Sequence, residues 1–203
     1  MHLVSKGDAT RQAILHRGVE TAARVGLSGL TIGELAAAAG MSKSGLFAHA
    51  KSKESLQLQV LAQAREEFID AVIRPALTTP RGEPRVRSLF EHWVTCGRTR
   101  MPGGCLFVKA AAEYDDRPGM VRDQLVRDHT DLQETIAHVF RTGITEGHFR
   151  DDADPAQFAS ALHGIMLGFY HSYRLLGDPA AEAHARQSFE DLLDAARPTS
   201  DTA

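Results

Sequence analysis

The sequence predicts an all-α protein of about nine helices, an N-terminal three-helix group followed by a larger helical body, on three observations. Apolar residues recur at helical spacing along most of the chain, and no strand-type alternation is sustained anywhere. Glycines, prolines and Asp-Pro or Ser/Thr caps punctuate the pattern at intervals that suit helices. At 203 residues, 43% hydrophobic and 24% charged, the chain has the composition of a soluble globular protein with a sizeable core.

The first helix is expected from near Asp8 to Val25, with Ala13, Ile14, Arg17 and Thr21 marking its turns and Gly26 ending it. Between Leu30 and Glu54 stands LTIGELAAAAGMSKSGLFAHAKSKE, two short helical patterns joined by a glycine-containing turn. That is the sequence form of a helix-turn-helix, which lays its second helix in a DNA groove. Thr31 and Glu34 have the spacing of a capping box. Ile32, Leu35 and Ala36 form the inward stripe, and Gly40 supplies the left-handed stop. Ser42 caps the next helix, whose first turn carries Lys43, Ser44 and Gly45. Hydroxyls and a cation there suit the polar edges of the major groove, and Gly45 permits close approach.

Ser52 caps a fourth helix expected to reach about Leu77, with Leu56, Val60, Ala64, Phe68 and Val72 along one side. Such a helix is about 35 Å long and would join two domains rigidly. TTPRGEP is a loop. Helix five is expected over roughly Pro84 to Arg100, with Val86, Leu89, Phe90, Trp93 and Gly97 inward, until Pro102, Gly103 and Gly104 break it. Helix six holds Leu106, Phe107, Ala110, Ala111 and Tyr114. Pro118 is placed at the first position of helix seven, which passes Leu125, Leu132, Ile136, Val139 and Phe140 to Gly147. Asp154-Pro155 opens helix eight and Gly177 closes it; Asp178-Pro179 is expected to open helix nine, which ends before Pro198. The domains expected are residues 1–52, residues 53–197 and a short disordered tail, 198–203.

The overall charge of −3 hides an asymmetry. Residues 1–53 carry seven Lys or Arg against Asp8, Glu20 and Glu34, a balance of +4 that leaves −7 on the remainder. A cationic end on an anionic body suits docking to phosphates through that end alone. No run of about 18 apolar residues appears, and the start lacks a secretory core, so a cytoplasmic protein without a membrane span is expected. Cys96 and Cys105 match no zinc or dithiol pattern and read as buried hydrophobes, with a thiol sensor as the sharper alternative. The ten histidines include His129/His138 and His163/His171, nine and eight apart, neither the i, i+4 spacing of a helical zinc pair; no metal is expected. No G-x-S-x-G, Walker loop or dinucleotide motif occurs, so neither catalysis nor a cofactor is expected.

The helix-turn-helix and its flanks carry a specific resemblance. ATRQAILHRGVETAARVGLSGLTIGELA and GLFAHAKSKESL resemble the first four helices of the TetR family of transcriptional regulators, over residues 8 to about 60. PGGCLFVKAAAEYDD resembles the family's sixth helix. Two positions depart from the pattern: Phe47 stands where the family usually has Tyr, and Ala50 where it usually has Phe, a gap that Met41 is deformable enough to fill in part.

The resemblance implies a homodimeric repressor on a palindromic operator in double-stranded DNA, released by a small-molecule effector. Two recognition helices would enter major grooves about one turn apart. Lys43, Ser44 and His49 are the candidates for bases or nearby phosphates. Thr31, Ser42 and Lys53 would fix the DNA backbone, and Phe47 would pack on sugar-phosphate. Ser160, Gly164 and Gly168, small residues four apart, suit a close helix contact, and in the family the last two helices form the dimer bundle. The aromatic and sulfur-bearing residues Phe68, Trp93, Cys96, Phe107, Phe140, Met166 and Tyr170 suggest a mainly apolar effector pocket, with His92, His163 and His171 as polar groups. The alternative is a helical small-molecule-binding or thiol-sensing protein with weakened operator binding.

Overall fold

The computed structural model describes residues 6–99 and 104–198, with side chains for all of these except residues 6–9 and 47–49. Every regular element among them is helical. In chain order the main ones are α1 (Lys6–Val25), α2 (Ile32–Ala38), α3 (Lys43–Ala50), α4 (Lys53–Phe68), α5 (Glu83–Thr99), α6 (Leu106–Tyr114), α7 (Met120–Thr145), α8 (Pro155–Tyr170) and α9 (Ala181–Ala196). The expected tail lies outside the described residues apart from Pro198; of the expected break, Pro102 and Gly103 lie outside them, while Gly104 is described and adopts positive φ.

Most of the stops fall where the sequence puts them. Gly26, Gly40, Gly147 and Gly177 all adopt positive φ. Asp154 caps α8 through the backbone N–H groups of Ala156 and Gln157, at 2.8 and 3.4 Å. Ser52 accepts the Ser55 N–H at 3.0 Å and so caps α4.

Five expectations need correction. The fourth helix is not regular to Leu77: it passes into a π-helical segment at Ile69–Ile73 before a last α turn, Arg74–Leu77. Pro75 has no N–H to donate, and its ring would strike the carbonyl of Ala71 in an α-helix, so the α ladder widens there. The eighth helix likewise ends its α form at Tyr170 and turns π-helical over His171–Leu176 before Gly177 stops it. Pro118 precedes α7, which starts at Met120. Asp178-Pro179 lies ahead of α9, because Asp178 accepts the N–H of Ala180 at 2.8 Å in a turn before the helix begins. On α1 the buried stripe is Ile14, Gly18, Thr21 and Ala22; Ala13 and Arg17 face solvent.

The chain packs as two compact units. One contains residues 6–68 and 99–128 among those described, the other 69–98 and 129–198. This packing division differs from a boundary at residue 52, because the first core draws on α4, α6 and the start of α7 as well as α1 to α3. Leu27, Leu30, Leu35, Leu46, Leu56, Val60, Leu61, Leu106, Ala110, Val121 and Leu125 all belong to that core. Ala50 is buried within it and Met41 packs against it, as the expected filling of the missing aromatic requires.

In the second unit Phe140 stacks on Phe149 and Phe158 at 4.4 and 4.0 Å, and Phe90 stacks on Phe189 at 4.0 Å. Arg87 reaches from α5 to Glu190 of α9 with both terminal nitrogens, at 2.5 and 2.7 Å, and also bonds Glu83. Glu83 in turn binds Arg197, which holds its carboxyl below the usual carboxylate range.

Candidate nucleic-acid interface

The reading end is built on α2 and α3. Thr31 accepts the Glu34 N–H at 3.1 Å while the Glu34 carboxylate accepts the Thr31 N–H at 3.0 Å, so the capping box is closed on both sides. Ser42 accepts the Gly45 N–H at 3.1 Å and lies 3.3 Å from the Ser44 hydroxyl. Leu46 and Ala50 anchor the inner side of α3 in the core, which turns Ser42, Lys43 and Ser44 outward to solvent. At Gly45 a Cβ would stand 3.1 Å from the capping hydroxyl, so a side chain would press on the cap itself. Thr31, Ser42, Lys43, Ser44 and Lys53 are all exposed. The side chains of Phe47 and His49, predicted to touch DNA, lie outside the described residues.

Two expected phosphate contacts are engaged inside the protein. Thr31 uses its oxygen as acceptor in the cap, which leaves its O–H proton to donate. Lys53 donates to the Ser28 carbonyl at 2.6 Å, leaving two further N–H donors on the ammonium. Sequence reasoning missed what stands behind Ser28. On α6, Glu113 accepts the Ser28 N–H at 2.7 Å and Lys109 donates to the Ala23 carbonyl at 2.6 Å. Gln57 donates to the Leu27 carbonyl at 2.8 Å and to the Tyr114 hydroxyl at 2.9 Å. Burial raises the Tyr114 pKa, with the nearby Glu113 charge adding to it.

The remaining predicted residues fall in both units. Phe68 and Phe107 are half-buried in the first. His92, Trp93, Cys96, Phe140, His163, Met166 and Tyr170 belong to the second, with His171 exposed there. The Trp93 and His163 rings stack at 6.1 Å, and His129 comes within 5.6 Å of His163. Separated by more than thirty positions, these two histidines give no pairing signal in the sequence. Burial lowers the His163 pKa, and His129 adds to the effect. Gln133 lies 3.3 Å from the His163 Nδ1, and His92 Nδ1 lies 2.7 Å from the Ser88 carbonyl. Phe140, by contrast, is committed to the stack with Phe149 and Phe158.

Along α8, Ser160, Gly164 and Gly168 are exposed, and a Cβ at either glycine would meet nothing within 4 Å. Both cysteines are buried thiols. Among the described residues no group of three or more His, Cys, Asp or Glu is placed to hold a metal, and no helix is long and apolar enough to cross a membrane.

A capped helix-turn-helix with a polar outer edge defines a DNA-binding regulator of the helical type. Residues 14–60 match the family described as bacterial regulatory proteins, tetR family, and residues 82–189 match the tetracyclin repressor-like C-terminal domain. The chain belongs to the TetR family of transcriptional regulators. It is similar to the HTH-type transcriptional repressor DhaR of Mycobacterium sp. (strain GP1), 27% identical over 160 residues that span 78% of this chain and 79% of that protein. Among solved structures, a TetR transcriptional regulator from Chloroflexus aurantiacus matches with a TM-score of 0.82 at 24% identity, over 93% of this chain and 94% of that one. AibR, solved in complex with isovaleryl coenzyme A and operator DNA, matches with a TM-score of 0.70 at 20% identity, over 93% and 98%.

Proposed function

We propose that the chain is a repressor that binds a palindromic operator as a homodimer and is released by a mainly apolar small molecule. Residues 1–52 serve as the DNA-binding part, and 53–197 bind the effector and dimerise. The observation that carries this reading is the outer edge of α3, where Ser42, Lys43 and Ser44 are exposed on a helix whose inner side is fixed in the core. Lys43 and Ser44 contact bases or adjacent phosphates, and Thr31, Ser42 and Lys53 hold the DNA backbone. The repressor named among its relatives, and AibR's operator complex, agree with this reading. Acting on the chromosome, the protein works in the cytoplasm.

The dimer is supported by the exposed small-residue stripe of α8, beside which Leu167, Leu175 and Leu176 are 40%, 73% and 65% exposed. Glycine costs up to about 1 kcal/mol relative to alanine inside a helix, and among the described residues no neighbour stands within 4 Å of a Cβ built at Gly164 or Gly168. Within the second unit, the effector is bound near Trp93, His163, Cys96, Met166 and Tyr170, where the stacked Trp93 and His163 rings stand among buried apolar side chains. A near-complete switch requires the effector to prefer the released form by about 10⁴-fold.

Selection of duplexes from a random-sequence library, followed by anisotropy titration at several salt concentrations, tests the reading. Enrichment of an inverted repeat, bound by two chains with a steep salt dependence, is the expected result. Recovery of no preferred sequence would overturn it and leave a ligand-binding protein without an operator.

A further inference from the structure

The turn between α1 and α2 is gripped from outside the helix-turn-helix. Glu113 of α6, 85 residues downstream of Ser28, accepts its N–H at 2.7 Å. On the other side of the same residue, the Lys53 ammonium donates to the Ser28 carbonyl at 2.6 Å. Ser28 is therefore held between a carboxylate on its N–H and an ammonium on its carbonyl, both charge-assisted bonds of the stronger kind. Gly26 makes the grip possible. Its φ is +88°, and a Cβ there would stand 2.2 Å from a Glu113 carboxylate oxygen, so only glycine lets the carboxylate reach the turn. Lys109 on Ala23 and Gln57 on Leu27 hold the same stretch, at 2.6 and 2.8 Å.

We infer that Glu113 is a positioning residue for phosphate recognition, acting through Ser28 on Lys53. Lys53 lies at the start of α4, exposed beside the reading end. A lysine side chain free to rotate loses much of its rotamer entropy when it meets a phosphate. With one N–H already committed to Ser28, Lys53 has lost that freedom in advance, and its two other donors point outward from a fixed place. Glu113 keeps the acceptor carbonyl still. Without it, the turn and the ammonium both move, and the contact must be ordered at the moment of binding.

This inference rests on the operator-binding reading, and its test is a double-mutant cycle on the duplex that the wild-type chain selects from a random-sequence library. Glu113→Ala is expected to weaken binding about 2- to 10-fold, the range that one immobilised long side chain spans. Glu113→Gln keeps an oxygen to accept the Ser28 N–H and stays within about 2-fold of wild type on the same scale. In a Lys53→Ala background, Glu113→Ala has no further effect. Equal losses with and without Lys53, or a Glu113→Gln variant as weak as Glu113→Ala, would overturn the inference while leaving operator binding intact. A wild-type chain that selects no duplex overturns both. Should Glu113→Ala not fold, Glu113→Asp gives the same cycle, since it keeps the charge and shortens the reach by one methylene.

Discussion

Tyr170 of α8 lies against Gly97 of α5 so closely that a Cβ on Gly97 would stand 2.8 Å from the ring carbon Cε1. Tyr170 is buried, so its ring has little room to give way. Gly97→Ala is therefore expected to destabilise the protein by about 1–3 kcal/mol, as over-packing does. Gly168→Ala, on the open face of α8, is expected to be neutral or to stabilise the single chain by up to about 1 kcal/mol. Urea midpoints of the two variants check the contrast, and a reversed order would mean that the helices meet differently.

The same open face decides the dimer prediction. Because nothing among the described residues stands within 4 Å of a Cβ at Gly164 or Gly168, Gly168→Leu has room in one protomer. It is expected to leave the helical content intact and to weaken self-association by about 1–3 kcal/mol, the cost of forcing bulk into a close contact. Sedimentation equilibrium measures this directly. An unchanged dimer would move the seam off α8.

Thr31 and Glu34 accept each other's backbone N–H at the N-terminal end of α2, so losing either the hydroxyl or the carboxylate leaves one backbone donor without its partner. Thr31→Ala is expected to cost about 0.5–2 kcal/mol of stability. Thr31→Ser keeps the acceptor and should recover most of it. Thermal melts of both variants, read at equal concentration, supply the comparison.

Lys43 is exposed on the first turn of α3 and Lys53 is tied to Ser28, so the two cations should behave differently. Lys43→Ala is expected to lower the slope of log K against log salt by about one if it neutralises one phosphate, with no change in the melting temperature. Lys53→Ala should lower both the slope and the melting temperature, because it also releases the turn. Identical behaviour of the two variants would contradict the division of roles.

His163 titrates below its ordinary value because burial, and then His129, disfavours its charged form. The unfolded chain therefore binds more protons than the folded one as pH falls below the ordinary histidine range. This contribution to stability is full above that range and is lost as pH drops through it towards the lowered folded value. His163→Gln is expected to flatten the loss of stability between about pH 7 and pH 5. Trp93, the single tryptophan and stacked on His163, offers the readout by fluorescence. An unaltered pH profile in the variant would assign the effect to another group.

Much of the fold was legible because its signals are local. Thr31 and Glu34 lie three residues apart, and Gly26, Gly40 and Gly177 sit where positive φ is required. The helical class, the capped reading pair and the exposed Lys43 all follow from spacings within a turn or two. Pro75 is an equally local signal, and its effect on the ladder appears as the π-helical segment before it. Phe140 shows the limit of composition: an aromatic at helical spacing suits a pocket or a core, and only its stacking on Phe149 and Phe158 places it in the core.

By itself, then, the sequence determined the helical class, the helix-turn-helix, its caps and its polar first turn, since periodicity and capping act between residues close in the chain. Only the tertiary structure decided what lies far apart in sequence yet together in space. It alone put Glu113 on Ser28, His129 beside His163 and Tyr170 across Gly97, and left Gly164 and Gly168 open. The physical reason is that such pairs depend on how helices pack, which is set by the summed burial of many side chains and is encoded in no single spacing.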